Sequence, residues 1–302
     1  MSETLELAIL PFQLPFMQTA FGVTLMIAVP MALLSCLLVL KGWSLMGDAV
    51  SHAVLPGVVI AYIAGIPLAI GAFVAGLFCA LLTGFIKENS RIKEDTAQAL
   101  VLTVFFGAGI VLLTYINRTA AGGQTGLDRF LFGQSAGLLP ADVWTLAGLA
   151  ATVALVTGLF FKELALLCFD PDYGRSLGFP VHRLDQLLAA LVVVTLAVGL
   201  QAAGVVLTAA LLILPPLAAR YWTDRLVPLT GLAGAFGAAA GVAGTAASSL
   251  APQLPTGPLI VLSGAAFFAA SFLASPRRGL LAGWLRALRN RRASGAEAVG
   301  AR

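Results

Sequence analysis

The sequence predicts an all-α, polytopic bundle of membrane-spanning helices, and three observations carry that prediction. Of 302 residues, 59% are hydrophobic and only 11% charged, whereas water-soluble domains run near 25% charged. The mean hydropathy of +0.96 is spread along the whole chain, which fits many spans rather than a soluble body on one anchor. The longest polar stretches, Asn117 to Asp142 and Pro276 to Arg302, are each shorter than 30 residues, below the ~40 that an independent soluble domain needs. Extramembrane chemistry is therefore expected on a partner.

A hydrocarbon core of ~30 Å takes about 20 apolar residues per helix. Nine segments meet that description, with eight possible: Phe16 to Leu40, Asp48 to Gly65, Pro67 to Ile86, Ala97 to Ile116, Asp142 to Phe161, Leu184 to Leu200, Ala203 to Ala219, Leu226 to Leu250 and Thr256 to Ala274. The second, sixth and seventh are short enough to be tilted, broken or partly re-entrant. Within the seventh, Pro215 and Pro216 are expected to break the helix, because successive prolines remove donors and clash with the preceding turn. Such a break survives at membrane depth only where protein or a cavity satisfies the freed carbonyls, so it either lines a pathway or is simply packed. In the eighth, Gly231, Gly234, Gly237, Gly241 and Gly244 form a stripe suited to close helix packing.

Basic residues stay on the cytoplasmic side during insertion. An outside N-terminus and an inside C-terminus put 16 of the 18 Lys and Arg residues in the cytoplasm, leaving only Arg118 and Arg129 outside. Eight spans would strand one of the basic clusters. Residues 1–276 then make the transmembrane domain and 277–302 a basic cytoplasmic tail. In the tail, Leu280, Leu281, Trp284, Leu285 and Leu288 alternate with arginines at helical spacing, the pattern of an amphipathic helix on an anionic membrane surface. That apolar stripe argues against nucleic acid as the partner. Cys36, Cys79 and Cys168 are far apart and form no C-x-x-C, so neither a disulfide framework nor a thiolate zinc site is indicated. The first residues carry Glu3 and Glu6 without Lys or Arg, so a cleaved signal peptide is not expected.

An ionisable residue inside a span is costly and is by default a functional candidate. Asp48 and His52 stand at i and i+4, so a helical segment projects both from one face. A carboxylate and an imidazole together suit a borderline divalent ion such as manganese, zinc or iron. The plainer reading is that Asp48 caps the second span and accepts a hydrogen bond from a buried His52. Two ligands are an incomplete shell, which a second subunit can complete on a symmetry axis. Further along, Asp170 before Pro171 reads as an N-cap and N1 pair, Gly178 as a helix end and Pro180 as a stop. A two-turn helix across the inner face results, either a plain surface loop or a docking knob for a soluble partner. There is no G-x-x-x-x-G-K-[ST], H-E-x-x-H or G-x-S-x-G, so ATP hydrolysis, intramembrane metalloproteolysis and serine hydrolysis all lose their supports.

Three stretches resemble the integral-membrane permease of bacterial ABC importers for manganese, zinc and iron. They are Ser44 to Gly57 with its D-x-x-x-H, Asp170 to Pro180 with S-L-G-F-P, and Leu211 to Arg220 together with Pro255 to Leu262. The resemblance covers nearly the whole chain. It implies a type II importer-like bundle similar to the vitamin B12 importer permease, in the bacterial inner membrane, paired with a second copy or a paralogue. It also implies a cytoplasmic ATPase dimer gripping the helix built from Asp170, Asp172, Tyr173, Gly174, Arg175, Leu177 and Gly178, and an external metal-binding protein. Asp48 and His52 match the family's pathway ligands. No permanently bound cofactor is implied, only the transported ion, and the permease is not itself an enzyme. One departure is Gly174, where the family commonly has alanine, an exchange expected to loosen the docking helix; Pro215-Pro216 is a slight variation. The reading from a different class is a proton-coupled secondary transporter in which Asp48 and His52 titrate; no inverted repeat is visible to support it.

Overall fold

The computed structural model describes residues 15–43, 45–119, 140–249, 254 and 256–282. Eleven helices are found there: α1 (Pro15–Lys41), α2 (Met46–Ala53), α3 (Leu55–Ala64), α4 (Leu68–Asn89), α5 (Glu94–Thr119), α6 (Pro140–Leu159), α7 (Phe161–Phe169), α8 (Pro171–Ser176), α9 (Val181–Arg220), α10 (Leu226–Ser248) and α11 (Thr256–Ala274). No strand occurs among the described residues. The N-terminal residues 1–14, most of the Asn117 to Asp142 connection, and the amphipathic tail stripe from Trp284 onward lie outside them.

Seven helices are long and apolar enough to cross a membrane, and eight if the bent pair α6 and α7 makes one span. Each of the nine expected segments falls on helix, but lengths differ from expectation. The second and sixth segments gain residues at their N-termini and reach 19 residues (Met46–Ala64) and 20 residues (Val181–Leu200). Charges had marked those boundaries too late, since Asp48 and Arg183 lie inside helices. The seventh remains short, Gly204–Arg220, and falls below membrane-crossing length.

The second span is two helices in line. Pro56 has no N–H to give to the His52 carbonyl, so the ladder is interrupted there, yet Val54 donates to Val50 at 3.1 Å and Val58 donates to Val54 at 3.0 Å. The chain keeps its direction through the joint.

Helices α1 and α9 form the axis of the bundle. They pack on each other, with α10 and α11 on one flank and α2 to α5 on the other. Leu34 and Leu37 of α1 and Leu188, Val192, Leu196 and Leu200 of α9 are fully buried along this seam. On α5, by contrast, Leu100, Val104, Val111 and Tyr115 are exposed, as suits a face turned to lipid or to another subunit.

Small residues set the helix spacing. A Cβ built on Gly57 would land on the Gly71 carbonyl and on Ala75, and one on Gly71 would land on the Gly57 carbonyl and Ala61. The backbones of α3 and α4 therefore touch. The stripe on α10 serves the same end in part: Gly241 faces Thr24 of α1 and Gly244 faces the Ile260 backbone of α11, while Gly231 meets nothing within 4 Å.

This packing predicts that Gly71→Leu lowers the thermal unfolding midpoint of the detergent-solubilised protein, since overpacking a filled contact costs about 1–3 kcal/mol. Gly84→Ala, where nothing lies within 4 Å, is expected to leave the midpoint unchanged. Equal midpoints for the two variants would contradict the backbone contact.

Candidate functional site

Helix α2 has two faces of opposite character. Met46, Gly47, Ala49, Val50, Ser51 and Ala53 are buried, and the small Gly47 lets Leu212 of α9 approach to 3.1 Å from where a Cβ would stand. Asp48 and His52 occupy the other face, with side chains 45% and 40% exposed. Their spacing behaves as the i, i+4 pattern requires: His52 Nε2 stands 3.5 Å from Asp48 Oδ1.

That geometry differs from the capping alternative in both particulars. The N-cap position is Leu45, with no side-chain cap bond, and Asp48 sits in the first turn, where its charge favours the positive helix end. His52 is half-exposed, and 3.5 Å is longer than an N–H···O bond of 2.7–3.2 Å. The two stand within ion-pair reach without a hydrogen bond of ordinary length. Phe106 of α5 meets the imidazole edge-on at 5.6 Å between ring centroids. Among the described residues no set of three or more His, Cys, Asp and Glu gathers anywhere, so among them the pair stands as two ligand types and a partial shell for an ion.

The short helix after Asp170 forms as its sequence dictates. Asp170 is the N-cap and accepts a hydrogen bond from the Tyr173 N–H at 2.9 Å, and Pro171 takes N1. Arg175 donates to Asp172 at 2.8 Å. At the far end Gly178 adopts φ +84°, donates to the Arg175 carbonyl, and Phe179 donates to the Gly174 carbonyl. These two bonds make the Schellman closure, which needs a left-handed residue that glycine fills without strain. Tyr173, Leu177 and Phe179 are exposed around it, as is Phe169 before it. Gly174 is buried, and a Cβ there would meet Val181 Cγ2 at 3.5 Å and Leu166 Cδ2 at 3.8 Å, ordinary contact distances. Glycine thus leaves room for an alanine methyl in the seat of α8.

The expected break at Pro215 and Pro216 falls elsewhere. Helix runs on through both prolines to Arg220, and the interruption is at Gly204, with φ 79° and ψ 171°. Only glycine reaches that region readily. The Thr208 hydroxyl donates to the Gly204 carbonyl. Pro215 packs toward Gly237 of α10, whose missing side chain leaves the ring room. Tertiary packing has overridden the local penalty, much as α1 runs through Pro30.

Sequence reasoning missed a set of charges at the end of the bundle that carries α8. Lys41 at the end of α1 pairs with Asp185 of α9, Lys87 with Glu94 across the α4–α5 turn, and Glu88 with His182 Nδ1 at 3.0 Å. Each joins residues distant in sequence or across a turn, so no helical spacing announces them.

The ABC 3 transport family profile matches residues 13–275. The manganese transport system membrane protein MntC of Bacillus subtilis is 42% identical over 295 residues, covering 96% of this chain and 68% of that one. The chelated iron transport system membrane protein YfeD of Yersinia pestis is 47% identical over 205 residues, covering 68% and 67%. Among solved structures, PsaBC from Streptococcus pneumoniae in complex with Fab superposes with a TM-score of 0.77 at 34% identity, covering 88% of this chain and 94% of that one. With a fold of membrane-spanning helices, a profile match over most of its length and relatives of this identity, the chain belongs to the ABC 3 transport family.

Proposed function

We propose that this protein is the permease subunit of an ATP-driven importer of a divalent transition metal, manganese, zinc or iron, in the bacterial inner membrane. The observation that carries the reading is the Asp48–His52 pair, two borderline-metal ligands on one helix face, half-exposed and not consumed by each other. Two chains, copies or paralogues, face each other and complete the coordination shell that one chain leaves partial. The Lys and Arg distribution supports nine spans with the N-terminus outside and the C-terminus inside. An extracytoplasmic binding protein delivers the ion. The chain holds no phosphate loop, so a separate ATPase dimer supplies the work and grips α8, where Asp170, Asp172, Tyr173, Gly174, Arg175, Leu177 and Gly178 build a capped, exposed knob. Gly204, rather than the proline pair, is the break in the helix beside this pathway, and Pro215 and Pro216 lie in the helix that packs behind Asp48.

Asp48→Ala and His52→Ala are each expected to cut manganese uptake into proteoliposomes by more than tenfold, with insertion and ATPase assembly intact, because a ligand is lost while the apolar face stays buried. Uptake at the wild-type rate in both variants would remove the pair from the pathway. A proton-coupled carrier would show uptake that ignores ATP and collapses with a protonophore, so the same vesicles separate the two classes.

The docking role of α8 is read by Leu177→Glu. An unpaired charge forced into the contact costs on the order of 3–5 kcal/mol, by analogy with broken buried ion pairs, so ATPase co-purification or stimulated hydrolysis is expected to fall sharply. Normal yield together with normal stimulation would eliminate α8 as the coupling element.

A further inference from the structure

Two helices that carry separate parts of the proposed machinery are joined by charge. Lys41, the last residue of α1, has a side chain only 11% exposed and pairs with the carboxylate of Asp185, 34% exposed, on α9. Its ammonium also lies 4.1 Å from the centroid of the Trp43 ring, close enough for a cation–π contact. Trp43 is buried and organises the link to α2: its N–H donates to the Leu38 carbonyl at 2.8 Å, and its carbonyl accepts from the Met46 N–H at 3.0 Å. Met46 opens the helix that bears Asp48 and His52. Lys41 therefore grips the segment that aims the pair.

The other end of the connection reaches α8. Asp185 stands one turn beyond Val181 on the same face of α9, at i and i+4. Val181 is the residue against which Gly174 of α8 seats, and its N–H donates to the Phe179 carbonyl at 2.9 Å. Between the two helices lie only Leu177, Gly178, Phe179 and Pro180, the first three held by the hydrogen bonds of the helix closure and the last by its ring. A displacement of α8 is thus delivered to the first turn of α9.

We propose that Lys41 and Asp185 form a strut that carries displacement of α8 through Trp43 to α2, and so to the orientation of Asp48 and His52. Both are positioning residues; they touch neither ion nor ATPase. The inference rests on the function proposed above for what moves α8. Holding α1 to α9 does not require the pair, because those helices already pack on each other and both contribute fully buried leucines to one core cluster, Leu34 and Leu37 from α1 and Leu188, Leu196 and Leu200 from α9. What the pair adds is a specific tie: a charge contact partly shielded from water is stronger than an exposed one, and its ammonium also rests on Trp43, which precedes α2.

The test has two arms. In nanodiscs, amide hydrogen exchange over residues 43–53 is compared with and without Asp170→Ala, which removes the cap of α8. Exchange there is expected to rise several-fold in the otherwise wild-type chain and to show no such response when Lys41→Met is present; an equal response in both backgrounds overturns the strut. In proteoliposomes with the ATPase subunit, manganese uptake per ATP hydrolysed is expected to drop about tenfold in Lys41→Met and in Asp185→Asn while hydrolysis persists. Lys41→Arg, which keeps a cation able to meet both Asp185 and the Trp43 ring, is expected to retain it. Unchanged uptake per ATP in Lys41→Met and Asp185→Asn overturns the proposal, as does a loss in Lys41→Arg as large as that in Lys41→Met. A wild-type chain that shows the exchange coupling but no ATP-dependent manganese uptake overturns the proposed function and leaves the strut standing.

Discussion

A peptide group stranded in hydrocarbon without a hydrogen-bond partner costs several kcal/mol, and every interruption of the helices in this bundle is shaped by that cost. At the 66° bend between α6 and α7, Phe160 donates to Val156 and accepts from Leu164, at 3.0 and 2.9 Å, so the residue at the corner keeps both of its backbone bonds. At Gly204, where the next helical stretch opens, the Thr208 hydroxyl donates to the carbonyl. Hydroxyls of Ser51, Thr83 and Thr195 fold back onto carbonyls of their own helices. Because these hydroxyls are paired within their own helices, they leave room for close contacts of backbone on backbone, such as Gly57 with Gly71, that set how closely the spans approach.

Within that frame, the two faces of α2 do different work from one short sequence. Small residues on the inner face let Leu212 come near Gly47, holding the helix by contact with α9, and the same register turns Asp48 and His52 away from the core. Neither of these two side chains is fastened to the other by a hydrogen bond of ordinary length. Their orientation comes from the backbone beneath them and from Phe106 beside the imidazole, so whatever moves the backbone moves the pair.

The local features were legible in the sequence because their causes are local. An i, i+4 spacing placed Asp48 beside His52, and the Asp-Pro start with a Gly-Phe-Pro finish defined α8 almost to the residue. Composition and hydropathy marked each apolar segment, though charges inside helices drew two boundaries too late. The helix break was misplaced for a physical reason: a proline pair is a strong local signal, but α9 holds Pro215 and Pro216 by packing, while Gly204 gave no signal beyond being one glycine among 32. Lys41 with Asp185 was invisible, since only the folded bundle brings the end of α1 to the start of α9.

The shortness of the Gly204–Arg220 helix bears on the membrane itself. At 1.5 Å per residue it rises about 25 Å, less than the ~30 Å of an average hydrocarbon slab. A peripheral helix of that length would be accommodated by lipid, which thins or tilts around a mismatch. This one is packed through Leu207 and Leu211 into Ala240 and Ile260 of its neighbours, so acyl chains meet little of it. Its span along the membrane normal is consequently fixed by the protein, and changes in host lipid chain length, as bacteria make on cooling or warming, would fall on the outer helices such as α5 and leave the depth of this inner segment untouched.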